Sequence, residues 1–289
     1  MADNTLPLVI FTLLVQFSVG IVTVYGLFLL FPHFRSKNEI PRRFKWILIV
    51  SSAAALVGVA ASFMHLGNPL SSYRAVANLG SSRLSLEIFT VLIYLGSLLA
   101  LTVLQFVIPY PQRHHHWLTI LTLIAGIVVI YVMATVYLLP TRPAWNSIFT
   151  PIGFYLTTLL TGSALLLLFQ INSGSWSSQK ALAIIIIAIS TLHLVVLPFY
   201  MTWLGEANDA TRASLEVVLK NQLTLFLLGI VAMGLTASCG LWALFSIKSC
   251  MIKNRYLFIP SIAAFIFAWA AVIIDRVLFY LHGVSVGGF

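Results

Sequence analysis

Eight apolar runs divide this chain, each long enough to cross the hydrocarbon core of a bilayer, which takes about 20 mostly apolar residues as a helix. Their charge-free cores cover 7–32, 46–66, 88–109, 117–139, 151–170, 181–204, 221–247 and 256–274. No run alternates at the two-residue period of a barrel strand, and backbone groups in lipid have to be bonded within their own segment, so helices are the form these runs take. With 60% apolar and 8% charged residues and a mean hydropathy of +1.02, the sequence lies far outside the range of soluble domains. The expected fold is an all-α integral membrane protein with eight transmembrane helices, forming a single polytopic domain over 1–289.

The opening "MADNTLPLVIF" carries Asp3 and no basic residue, whereas a secretory signal needs a positive region before its apolar core; the first segment is expected to stay in the mature protein. Lys and Arg collect on cytoplasmic loops. Arg35, Lys37, Arg42, Arg43, Lys45, Arg113, Lys180, Lys248, Lys253 and Arg255 fall on one side of the bundle. The other side has fewer, Arg74, Arg83, Arg142, Arg212, Lys220 and Arg276, and takes most of the acids, Asp3, Glu206, Asp209, Glu216 and Asp275. Both termini are therefore expected on the outer face of the membrane. The net charge of +9 is spread over short loops and has no clustered nucleic-acid footprint. The longest outer loop, 205–221, reads as a solvated connector, with a short surface helix as the alternative. Cys239 and Cys250 are too few to hold an iron–sulfur cluster within this protein alone and read as ordinary thiols.

Ionisable groups inside such segments carry the most information, because a charge at mid-bilayer costs about 2.5–3.5 kcal/mol or more. The stretch "FMHLGNPLSSYRAVANLGSSRLSLEIF", 63–89, ends the second segment at His65 and begins the third with Glu87 in its first turn, at similar depth under an outer loop. Alone, Glu87 reads equally as an acid at a helix start capped by Ser82 or Ser85, and His65 as a helix-end histidine bonded to a loop carbonyl. Together they are the groups that quinol oxidation needs, acceptors near neutral pH for two protons released with two electrons. Gly67 and Pro69 end the helix and turn the loop back over the site.

"HLGNP" at 65–69 followed by "SSRLSLEI" at 81–88 resembles the membrane anchor subunit of bacterial anaerobic dimethyl sulfoxide reductase, the DmsC family. "PTRPAWNSIFTPIGFYLT" at 140–157 is similar to that family's loop between helices 4 and 5, and "DRVLFY" at 275–280 is a fainter echo. The resemblance implies an eight-helix anchor that binds and oxidises menaquinol through His65 and Glu87. It implies partners too: a four-cluster iron–sulfur electron-transfer subunit and a molybdopterin catalytic subunit on the periplasmic side. Arg74, Arg83, Asp275 and Arg276 are the further residues expected at the quinol. The sequence departs from the family pattern at Ser71, where a basic residue is common, and at Arg83 and Leu86. Neither haem nor metal is expected in this chain.

Other readings stay open. His193, near mid-bilayer, is a satisfied core histidine beside a Pro198 kink or, in a haem b cytochrome anchor, an axial ligand; His33, His65 and His282 sit at segment ends and offer no partner at matched depth. "RHHHW" at 113–117 reads as a cytoplasmic interfacial loop rather than a metal site. Asp275 and Arg276 read as a mutual or neighbouring ion pair, or as quinol contacts, with Arg276 able to orient Glu87. A secondary transporter is the rival from another class, but polar groups crowd one face here rather than the midplane.

Overall fold

The computed structural model describes residues 6–31, 40–64, 82–108, 113–170, 176–249 and 255–286. Among them there is no strand, and the helices follow the apolar runs: α1 Leu6–Leu30, α2 Ile40–Phe63, α3 Arg83–Val107, α4 Arg113–Val136, α5 Phe149–Gln170, α6 Trp176–Glu206, a short α7 Asp209–Glu216, α8 Leu223–Ser249 and α9 Arg255–Leu281. All but α7 are long and apolar enough to span a membrane, giving eight candidate spans.

Neighbour relations divide the spans into two rings of four. In the first, α1 packs on α2, α2 on α3, α3 on α4 and α4 back on α1; in the second, α5, α6, α8 and α9 close in the same order. The rings meet where α1 lies against α5, flanked by α4 on α5 and α1 on α9. This makes α1 the central staff, buried on nearly every side. Lipid supplies no hydrophobic drive between helices, so such a contact rests on close packing by small residues and on interhelical hydrogen bonds. At the α1–α5 crossing a Cβ on Gly20 would lie 1.9 Å from the Thr158 carbonyl oxygen, and one on Gly162 would lie 2.2 Å from the Gly20 carbonyl carbon. Two backbones touch there, and only glycine permits it. Within the first ring, Ser18 of α1 shares hydrogen bonds with Ser51 of α2 at 2.9 Å and Tyr94 of α3 at 2.7 Å.

Some boundaries differ from expectation, each for a physical reason. α9 runs to Leu281 rather than 274, because Asp275 and Arg276 find partners inside the bundle and do not end the helix. α6 reaches from Trp176 to Glu206 and carries Pro198 in its interior. The 205–221 loop is not a plain connector: α7 starts at an Asn208 cap whose Oδ1 accepts from the Thr211 amide at 2.9 Å, while the Asn208 amide donates to Thr211 Oγ1 at 3.0 Å. That reciprocal capping box starts the helix, and a π-turn at Val217–Asn221 joins it to α8. "RHHHW" is the opening of α4 rather than a loop, with His115 fully buried.

Candidate functional site

The start of α3 sets the first part of the site. Ser82 has the extended backbone of an N-cap, and its Oγ accepts from the Ser85 amide at 3.4 Å. With the cap there, Glu87 lies beyond the first turn, which corrects its expected place: it is too deep to serve the helix end. Its side chain is buried, 6% exposed. Arg83, on the exposed rim, donates to the carbonyls of Thr135 at 2.8 Å and Leu138 at 2.7 Å. These carbonyls lie at the C-terminal end of α4, so Arg83 fastens the start of α3 to the end of α4.

That fastening brings Tyr137 to the site. Its hydroxyl lies 2.5 Å from the hydroxyl of Tyr280 on α9, and its ring is packed by Trp145, Phe154 and Phe279. The Glu87 carboxylate is within electrostatic reach of both tyrosines. Burial first, then the Tyr280 and Glu87 charges, push the Tyr137 phenol well above its ordinary range, so it stays protonated as a donor.

Arg276 braces this cluster from behind. It is 2% exposed, its guanidinium carbon sits 3.9 Å from the Phe154 ring centre, and one terminal nitrogen donates to Gln16 Oε1 at 3.1 Å and reaches Thr157 Oγ1 at 3.5 Å. Thr157 in turn donates to Gln16 Oε1 at 3.0 Å. A weakly hydrated, planar cation stacked on an aromatic face and bonded to an amide is tolerated where an ammonium would not be. Asp275, the preceding residue, serves the other ring: its Oδ1 lies 3.6 Å from His193 Nε2 on α6. The neighbouring partner of Asp275 is therefore His193, and the two consecutive residues face different partners.

The His193–Asp275 pair opens onto a cavity of about 120 Å³ lined by α5, α6, α8 and α9. At one end of it Tyr200 and His282 meet, hydroxyl to Nε2, at 2.7 Å, and His282 Nδ1 lies 2.5 Å from the Leu278 carbonyl. The loop before α5 is tied on top: Trp145 Nε1 donates to the Phe279 carbonyl at 2.7 Å and Arg142 to the Gly283 carbonyl at 2.9 Å. Among the described residues no three His, Cys, Asp or Glu side chains converge as a metal site.

The structure thus brings Glu87, Arg83 and Arg276 to one end of the bundle and sets Asp275 into the adjoining cavity. His65 and Arg74 lie outside the described residues, in the segment that follows Met64. Reading the sequence missed Tyr137, Tyr280, Gln16 and Thr157. The only signals were Gln16, the lone amide in α1, and Tyr280 at the end of "DRVLFY".

Comparison with known proteins agrees with this architecture. The family model described as "DMSO reductase anchor subunit (DmsC)" matches residues 2–282. The sequence is 33% identical over 168 residues to the YnfH chain of anaerobic dimethyl sulfoxide reductase from Escherichia coli K12, a match covering 55% of each protein. It therefore spans only about half the length of that relative. It is 31% identical over 195 residues to the C subunit of anaerobic dimethyl sulfoxide reductase from Haemophilus influenzae, covering 66% of this protein and 68% of the relative. Against the C subunit of the Escherichia coli K12 enzyme it is 33% identical over 202 residues, covering 66% and 65%. With the family model matched across nearly its whole length, the chain belongs to the DMSO reductase anchor subunit (DmsC) family.

Proposed function

We propose that this protein is the membrane anchor of a dimethyl sulfoxide reductase complex in the bacterial inner membrane, and that it binds and oxidises menaquinol near the periplasmic face during anaerobic respiration. Its partners in this reading are a four-cluster iron–sulfur subunit, which takes the electrons, and a molybdopterin subunit, which reduces the terminal acceptor. The observation that carries the reading is Glu87: a carboxylate buried in a membrane helix, beyond capping distance and within electrostatic reach of the paired Tyr137 and Tyr280. Membership of the anchor family and the charge bias of the loops support the partners and the sidedness.

The chemistry follows from the groups. Menaquinol loses two electrons and two protons to become menaquinone. Glu87 and His65 each accept one hydroxyl proton and release it to the outer aqueous phase, while the electrons leave singly to the nearest cluster of the partner. Tyr137, protonated, donates a hydrogen bond to a ring oxygen and holds it towards Glu87. Arg83 keeps α3 and α4 in register at this end, and Arg276 fixes Phe154 and Phe279 behind the tyrosines.

Glu87→Gln keeps size and hydrogen bonding but removes the acceptor; His65→Ala removes a base and a hydrogen bond. Quinol oxidation by membranes carrying either variant is expected to fall about 10²- to 10⁴-fold, the usual contribution of a general base. Electron flow from reduced viologen into the partner subunits is expected to stay at the parental rate. Parental quinol oxidation in both variants would place the site elsewhere.

A further inference from the structure

The cavity in the second ring is a built chamber that the proposed reaction at Glu87 does not use. Interiors are packed with few voids larger than a water molecule, and this one measures about 120 Å³. A cavity of about 150 Å³ is enough to take a benzene ring. Its walls are mostly apolar, among them Leu197, Phe226, Ile230 and Met233, and most of its polar groups come from α6 and from α9 and its end. Asp275 keeps 35% of its side chain exposed and His193 14% although both are on membrane-spanning helices, because they face the chamber. Both are ionisable groups in a setting where such groups are costly and mark function. Gly153 of α5 also lines it, and a Cβ built there would meet nothing within 4 Å. Space for a side chain is left empty at the wall.

Apolar walls with a small number of convergent polar groups are the pattern of a small-molecule site. A file of waters would need two to four polar partners for each molecule, and most of the wall is aliphatic or aromatic. A ring bearing hydroxyl or carbonyl oxygens does match: one oxygen meets the His193–Asp275 pair, which offers a donor and an acceptor, and the ring lies against Phe154 and Phe226.

We propose that the chamber between α5, α6, α8 and α9 is a second binding site, separate from Glu87, for the ring of a quinone or quinol drawn from the membrane, held through His193 and Asp275. The choice of ligand class rests on the quinol reading of this protein; the chamber itself does not. Arg276 and Phe154 form the wall between the two sites, since Arg276 lines the chamber while bonding to Gln16 and Thr157 on its far side.

The test is photolabelling of the full-length protein in lipid nanodiscs with a 2-methyl-1,4-naphthoquinone carrying a short diazirine tail, followed by peptide mapping. Label is expected on α6 and α8 beside the chamber. It should fall about tenfold or more in Gly153→Leu, which fills the space, and in Asp275→Asn, which removes a charged hydrogen-bond partner. It should persist in Glu87→Gln, whereas loss of quinol oxidation in that variant tests the first site independently. Gly153→Leu should unfold at or above the parental temperature, because its side chain enters open space. Label confined to residues around Glu87, label on α6 and α8 that Gly153→Leu leaves unchanged, no label in the second ring, or a destabilised Gly153→Leu would each overturn the proposal.

Discussion

His282 shows how one residue at the end of a helix couples packing to pH. It lies just past Leu281, where α9 ends, and is 5% exposed. Its Nδ1 faces the Leu278 carbonyl, which leaves Nε2 to accept from the Tyr200 hydroxyl. Burial, the largest influence, holds its pKa below the ordinary 6.5, against smaller opposing effects of the Leu278 carbonyl and Asp275. A histidine whose folded pKa is depressed takes up its proton more readily when unfolded. The unfolded state is therefore favoured as pH falls through about 6.5 and below, down to the folded pKa. Thermal unfolding in nanodiscs should show stability declining across that window, and His282→Gln should flatten the decline. An unchanged slope in the variant would assign the pH dependence to other groups. Glu87 was legible as a candidate because a carboxylate at the edge of an apolar run is costly. Tyr137 and Tyr280 were not, since tyrosine near a membrane face is ordinary and their pairing joins α9 to the end of α4.

At the scale of elements, the α1–α5 contact joins the two rings. Gly162→Ala puts a methyl group into the backbone of α1, where a Cβ would stand 2.2 Å from the Gly20 carbonyl carbon. Overpacking of this kind costs about 1–3 kcal/mol. Gly96→Ala is the control, because its Cβ meets nothing within 4 Å and replacing glycine inside a helix gains about 0.5–1 kcal/mol. Unfolding temperatures in nanodiscs should fall for the first and hold or rise for the second; equal values would mean the backbones do not touch. Helix number and order could be read from the apolar runs because length and lack of charge are local properties. Ends were harder to read. The charge-free rule stops the last span at 274, but α9 continues to Leu281 because Arg276 has Gln16 and Phe154 as partners, which no local pattern reveals. For α7 a local signal existed in Asn208 and Thr211, the two halves of its capping box.

For the whole molecule, the division into two rings explains why adjacent residues on α9 serve different purposes. Arg276 closes the back of the Glu87 cluster through α1 and α5, and Asp275 enters the chamber of the second ring opposite His193. Each ring was invisible to periodicity, since helices in lipid carry their apolar residues all round and show no stripe that points to a neighbour. The function proposed for the assembly is the entry of electrons from menaquinol at the end of α3, and the rate of that entry is directly measurable. In the purified complex, stopped-flow mixing with excess menaquinol should reduce the partner's iron–sulfur clusters in one turnover. Glu87→Gln should slow that phase at least about 10²-fold while dithionite still reduces the clusters to the same extent. Cluster reduction by menaquinol at the parental rate in Glu87→Gln would contradict a role for this carboxylate in taking the quinol proton.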